Sequence, residues 1–448
     1  MTRYFWATTL GADMRLGSIL AAIAVIVTAL AASPRRALGD EPARSGPDTL
    51  RFAPSLPDSL GPGGAGEEEL EVGAQDEWLE TPFGDHLLTD VDEWRAREGE
   101  ISPFGLVADY NRVDRLRVGL RYQAQSRKEM LPRFGARLEY ASGRERTLYG
   151  AQLEQPLLPP GRLAAGVSMV RRTDHNPLQQ VDDVENSLAF LFGRQDYRDY
   201  FEREGFGAYL SWRVPDFSTV SVNVRNDRYR SLALDPGTRS FFQRDRKLRL
   251  NPPIDDGEAH GLTVRLERLA HRTHRTRAGL YHWIDVKRNG HGLGGDYQFT
   301  RMLADVRSVL RLSPATTLAF RGVAGHTFDG QLPAQEHFTA GGVDGLRAHP
   351  FARYRGDEML LGQAEYTAGL WRIRSGIFEG GLHAIAFVDA GRAWFDGAHR
   401  WNLARQHFEA DGGLGLSSSE DNVRVYVARD LQAARSAAVI SMRLQRPF

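Results

Sequence analysis

From Asp114 to the C-terminus the chain repeats one pattern, in which apolar and polar side chains alternate with a period of two. That spacing predicts strands with one apolar and one polar face. Leu116, Val118, Leu120 and Tyr122 share one parity, and Arg115, Arg117, Arg121 and Gln123 share the other. Phe134, Ala136, Leu138 and Tyr140 repeat it against Arg137 and Glu139, and Val220, Val222 and Val224 stand against Asn223, Arg225 and Asp227. Leu262, Val264 and Leu266 oppose Thr263, Arg265 and Glu267; Met302, Ala304, Val306, Leu310 and Leu312 oppose Arg301, Asp305, Arg307 and Arg311.

The alternation predicts about sixteen strands, at 115–123, 133–142, 147–157, 161–173, 186–194, 205–214, 218–229, 259–269, 275–286, 297–313, 316–328, 358–370, 382–394, 408–419, 422–431 and 437–448. An even number brings both chain ends to one side. The connections then sort into a side of mostly tight turns (Ser142 to Arg146, Pro215 to Phe217, Ser313 to Ala315, Ser419 to Asp421) and a side with the long loops Ser231 to Glu258 and Asp329 to Asp357. Asp174 to Glu185 is a longer turn on the tight side, the one exception to this sorting.

A soluble antiparallel sheet alternates too, with its polar face in water. Three features favour lipid instead: the number of strands, aromatics near strand ends (Tyr122, Tyr140, Tyr149, Trp212, Trp283, Trp371, Trp394) and the N-terminal segment. Leu16 to Ala32 is the only long apolar run, preceded by Arg3 and Arg15 and followed by small residues up to Gly39. Basic, apolar, small is the order of a secretory signal peptide, assigned to 1–39. Residues 40–103 are rich in Gly and Pro and carry the acidic run Glu67 to Glu71, the composition of a mobile segment. The expected fold class is therefore all-β, a transmembrane antiparallel β-barrel over 104–448. Lipid offers no hydrogen bonds, so its sheet has to close, the first strand (115–123) meeting the last. In that last strand Ala438, Ile440, Met442, Leu444 and Phe448 face one way, and Ser441, Arg443 and Gln445 the other.

Composition fits this picture. The 448 residues include 46 glycines and 10% aromatics, and the mean hydropathy is −0.41, as expected when only alternate residues meet lipid. Positive and negative charges balance at 57 each, which gives no reason to expect nucleic acid as a partner. With no cysteine, disulfides, thiolate metal sites, a thiol nucleophile and a lipoprotein anchor are all excluded. There is no Gly-x-Ser-x-Gly elbow and no His-Glu-x-x-His pair, so no catalytic residue, cofactor or metal is assigned. Ser417 to Ser419 and the 13 histidines are the raw material for an enzyme, and His271 and His274, which flank a tight turn, read as solvated.

One stretch breaks the rhythm, His337 to Asp357 (HFTAGGVDGLRAHPFARYRGD). Its glycines and Pro350 forbid a regular strand or helix. Arg347 stands at its centre, with Glu365 and Asp389 on the next two strands. Gly341, Gly342, Gly345, Leu346, Arg347, His349 and Pro350 lie in a segment that resembles the Val-Arg-Gly-Phe/Tyr loop of the BamA/TamA superfamily, the bacterial surface antigen barrels. Phe387-Val388-Asp389-Ala390-Gly391 is similar to that family's Phe-x-Asp-x-Gly motif, Gly362 to Tyr366 to its strand-twelve segment, Asp109 to Val113 to its way into the barrel, and Phe448 to its terminal aromatic. Ala348 and His349 stand where the family has Gly and an aromatic, and 40–103 is too short and too rich in Gly, Pro and acid for a POTRA domain. The resemblance implies that the loop folds into the lumen and that Arg347 bridges to Glu365 and Asp389 on the wall. Parity agrees, since Gln363, Glu365 and Thr367 face away from Tyr366, Ala368 and Leu370.

The resemblance further implies a monomeric barrel in the bacterial outer membrane, with membrane lipid, the barrel-assembly machinery (through the C-terminal strand) and a protein client as partners. Two functions stay open at this point: insertion or translocation of protein or lipid through a seam between first and last strands, and a passive channel or surface receptor.

Overall fold

In a computed structural model of the chain the described residues are 104–124, 130–158, 162–214, 218–242, 247–268, 279–313, 315–375, 378–418, 423–433 and 436–444. The expectations for 1–39, 40–103, His271, His274 and Phe448 fall outside them.

Sixteen strands form one antiparallel sheet in chain order. They are β1 (Phe104–Asn111), β2 (Arg115–Ala124), β3 (Arg133–Ala141), β4 (Arg146–Leu158), β5 (Leu163–His175), β6 (Tyr200–Arg213), β7 (Thr219–Ser231), β8 (Gly257–Arg268), β9 (Gly279–Asn289), β10 (Phe299–Ser313), β11 (Thr316–Gly330), β14 (Glu358–Ser375), β15 (Phe378–Trp394), β16 (Glu409–Ser418), β17 (Val423–Asp430) and β18 (Val439–Leu444). The two missing numbers, β12 (Phe338–Ala340) and β13 (Tyr354–Gly356), pair with each other inside the loop that follows β11. The fold is a transmembrane-type β-barrel, as the alternation predicts. Its outward positions are apolar and open, for example Leu120, Leu138, Val224 and Leu312. Its inward positions carry buried charge, for example Arg117, Glu139, Arg301, Asp305 and Arg321.

The expected number of strands is right, but one expected strand is absent and an unexpected one takes its place. Residues 186–194 are no strand; they belong to a helix, α1 (Asp183–Gly193). Asp182 caps it by accepting the Val184 N–H at 2.8 Å, Asp183 and Glu185 occupy the first turn, and Arg194 ends it in the left-handed region. In exchange, Phe104–Asn111 is a full strand, paired along its whole length with β2. Residues 115–123 are therefore second in the sheet, not first, and β2 to β5 run opposite to the expected sense. The tight turn at 142–145 moves to the side of the long loops, and so does the connection 176–199 that had looked exceptional. Every long connection now lies on one side: 176–199, 232–256, 331–357 and 395–408.

Two of the aromatics assigned to the interface point elsewhere. Trp283 packs on an apolar cluster inside the barrel, and Trp394 is buried. Trp212 and Trp371 are exposed on the outer face. Among the described residues no ladder joins β1 to β18, so the expected pairing of first and last strands is absent there.

The two faces make a direct stability test. Arginine at Val306, which is outward and exposed, should destabilise the barrel by about 2–4 kcal/mol if it sits near the bilayer midplane. Arginine at Thr263, on the inward parity of β8, should be tolerated. Urea unfolding of both variants in liposomes checks this, and equal losses would contradict a lipid-facing exterior.

Candidate functional site: the loop locked in the lumen

The connection from β11 to β14 folds inward as a hairpin. Its base is the β12–β13 ladder, which pairs Phe338 with Gly356 and Ala340 with Tyr354. Between them the chain turns through Gly341 and Gly342, whose φ values of 114° and 87° suit glycine alone. A Cβ on Gly341 would stand 2.5 Å from the Pro350 carbonyl oxygen, so the tip also needs the missing side chain to close. The turn is held from within: the Gly342 N–H donates to the carbonyls of Leu346 (3.1 Å) and His349 (3.0 Å), and the His349 N–H to Leu346 (3.1 Å). Leu346 is fully buried among Phe299, Leu303, Val323, Phe338 and Leu361, an apolar cluster inside the barrel. The lumen is thus not uniformly polar. Leu346 supplies the hydrophobic part of the docking, and Arg347 the directional part.

Arg347 reaches the wall at β15. Its Nε and Nη2 donate to the two oxygens of Asp389, both at 2.8 Å, and its Nη1 to Glu365 Oε2 at 3.1 Å. The first pair is a two-pronged fork, the strongest geometry open to guanidinium and carboxylate. The guanidinium carbon also lies 3.8 Å from the Phe387 ring centroid and 4.7 Å from that of Tyr426. Phe387 finds room because Gly413 stands beside it; a Cβ there would meet the ring at 2.6 Å and the Val427 carbonyl at 2.1 Å. Arg347 is 3% exposed and Asp389 and Glu365 no more than 1%, so water does not screen the set. Burial by itself pulls the guanidinium pKa down. The charge of Asp389, its hydrogen bonds and then Glu365 outweigh that and hold it above its ordinary value.

The structure thus brings together Arg347, Glu365, Asp389 and Phe387. Gly391, on the same face of β15, is a backbone contact: a Cβ there would stand 2.6 Å from the Leu360 carbonyl. The terminal Phe448 is not among the described residues.

Sequence reasoning missed a second ring of partners. Asp411 on β16 accepts the Ala348 N–H at 2.7 Å and sits 3.0 Å from His349 Nδ1. The two residues that depart from the family pattern therefore dock on one carboxylate. Arg424 on β17 pairs with the other oxygen of Glu365, and the Tyr426 hydroxyl donates to Glu365 at 3.1 Å. Gln363 donates to the Gly345 carbonyl (2.9 Å) and to Asp389 (3.1 Å). Arg321, paired with Asp305, donates to the Asp344 carbonyl at 2.9 Å. Arg443 on β18 holds Asp344 Oδ1 at 2.7 Å. All of these sit on inward parities, so period two was the available signal; what it lacks is which inward residues come within reach of the loop.

Chemically this is a set of interlocking ion pairs. No group of side chains able to hold a metal occurs among the described residues.

Comparison with solved structures gives BamA from Haemophilus ducreyi lacking POTRA domains 1–3, at 11% identity and a TM-score of 0.50, over 77% of this chain and 70% of that one. CdiB from Acinetobacter baumannii aligns at 13% identity and TM-score 0.41, and CdiB from Escherichia coli at 12% and 0.44. Each covers 77% of this chain, which spans 60% and 62% of theirs. No curated protein matches the chain significantly. The Omp85 superfamily domain matches residues 133–419, more than half of the sequence and all of the lock except its tie to β17 and β18. The chain belongs to the Omp85 superfamily.

Proposed function

We propose that this protein assists the insertion or translocation of protein or lipid at the bacterial outer membrane, through a seam between β1 and β18. The observation that supports this reading most is the contrast between two parts of one wall. The lumen loop is fastened to β14–β18 by buried ion pairs, while no backbone ladder joins β1 to β18 among the described residues. A seam acts as a gate only if its pairing is weaker than its neighbours', because each exposed backbone group in lipid costs several kcal/mol. The seam strand is β1 rather than 115–123, so a cross-link meant to close it belongs on β1. The proposed partners are outer-membrane lipid, the barrel-assembly machinery and a protein client, with the barrel acting as a monomer, without a cofactor and without catalysis.

The test is reconstitution. The purified protein in liposomes should speed the folding of a second, urea-denatured outer-membrane barrel into the same membrane, read as protease protection of that client. Ion conduction with no effect on the client would replace this reading with a passive channel.

A further inference from the structure

Helix α1 lies in the connection between β5 and β6, yet it also reaches both edge strands of the sheet. Successive helix residues point about 100° apart, so Glu185, Asn186 and Ser187 look in three different directions. Ser187 meets β1: its hydroxyl donates to the inward Asp109 at 2.7 Å and accepts the Tyr110 backbone N–H at 2.9 Å. Glu185 meets β18, 2.8 Å from the inward Arg443 Nε. Asn186 turns inward to Asp196 (3.2 Å) and the Tyr200 hydroxyl (2.8 Å). Tyr110, which shares the outward parity of Phe104 and Leu106, lays its ring 5.6 Å from that of Phe190. The helix therefore touches β1 on its inward side chain, its edge amide and its outward side chain. An element lying in the lumen would touch only the first.

The remaining direction is apolar. Val184, Leu188, Leu191 and Phe192 form one stripe, with Val184 and Phe192 exposed. Phe192 continues into Phe241 (5.7 Å) and Phe242 (6.1 Å), both exposed and tied to α1 by the Phe241 N–H to Leu191 carbonyl bond. A helix with its polar side chains buried and its apolar stripe open is inverted for water and correct for lipid. It also satisfies its own backbone, so it can stand in a membrane wall where a ladder is missing.

We propose that α1 is a piece of the barrel wall: it fills the gap between β1 and β18 and presents Val184, Leu188, Leu191 and Phe192, with Phe241 and Phe242, to lipid acyl chains. The Ser187 hydroxyl serves the Tyr110 edge amide that a strand would otherwise pair, and Glu185 holds Arg443 of β18. The inference rests on the membrane location proposed above, and the controls below separate the two.

The chain has no cysteine, so single nitroxide labels can be placed at will. Val184→Cys and Phe192→Cys are labelled in phosphatidylethanolamine–phosphatidylglycerol vesicles, beside Leu106→Cys and Val306→Cys on the outer face and Thr263→Cys in the lumen. Collision with oxygen, which concentrates in acyl chains, is compared with collision with a water-soluble nickel chelate. The oxygen-to-nickel ratio at both helix positions should match Leu106 and exceed Thr263. A lumen-like ratio at either helix position, with lipid-like ratios at Leu106 and Val306, overturns the wall assignment. Water-like ratios at Leu106 and Val306 as well would instead overturn the membrane location.

Discussion

Replacing Arg347 by Ala should destabilise the folded barrel by about 3–5 kcal/mol, because it strands the buried Asp389 carboxylate and leaves Glu365 with Arg424 as its only cation. The surface value of up to about 1 kcal/mol does not apply to a set this far from water. Asp389→Ala should cost a similar amount by taking from the buried guanidinium its two-pronged partner, which leaves it Glu365 alone. The double variant should lose much less than the sum, since the two side chains share hydrogen bonds at 2.8 Å. Urea unfolding of the four proteins measures the cycle, and strict additivity would rule out the contact as an energetic pair. In the Arg347→Ala protein trypsin should also cut at Arg353, on the far limb of the freed tip.

Much of this lock was legible because parity is a strict rule. A residue two places from Glu365 must share its face, so Gln363 could be placed without coordinates, and Gln363 and Glu365 are both buried inside. The same rule misled at 186–194. Asn-Ser-Leu-Ala-Phe-Leu-Phe reads as an apolar run of strand length, and periodicity does not separate such a run from a helix. The capping signals were present in Asp182, Asp183 and Glu185, and a helix with an open apolar stripe makes sense only once β1 and β18 are seen beside it. Phe104–Asn111 was missed for another reason. Val107 places an apolar side chain on the inward face, where it is buried, and so blurs the alternation of Phe104, Leu106 and Tyr110 with Asp109. One false strand and one missed strand cancelled in the count and reversed the sense of everything between them.

The second large effect is expected at Arg443, the buried cation of β18. It holds Glu185 of the helix at 2.8 Å, Asp344 of the loop at 2.7 Å and the Val343 carbonyl at 3.2 Å. Arg443→Met keeps much of the side chain's bulk but leaves two acids without their partner, again about 3–5 kcal/mol. Arg429→Met, at an exposed position of the neighbouring strand β17, should cost no more than about 1 kcal/mol. Arg443→Met should also raise single-channel current fluctuations in planar bilayers, since it loosens helix and loop together. A quiet, fully stable variant would mean that Arg443 is an onlooker.

The direction in which the lumen loop is fastened along the chain bears on the order of assembly. The side-chain ties of its tip run mostly forward: Arg347 to Asp389 spans 42 residues, Ala348 to Asp411 spans 63, and Asp344 to Arg443 spans 99. From earlier strands of the wall, Arg321 reaches the tip, while Lys287 and Arg301 hold Glu336 at the loop's entrance. A chain laid down from its N-terminus can therefore pair β1 through β11 while the loop is still without its acidic partners. Charged tips of this kind gain nothing from entering a lumen until the opposing wall exists. The lock closes last, and a barrel in which it has closed is one whose final five strands are already in register.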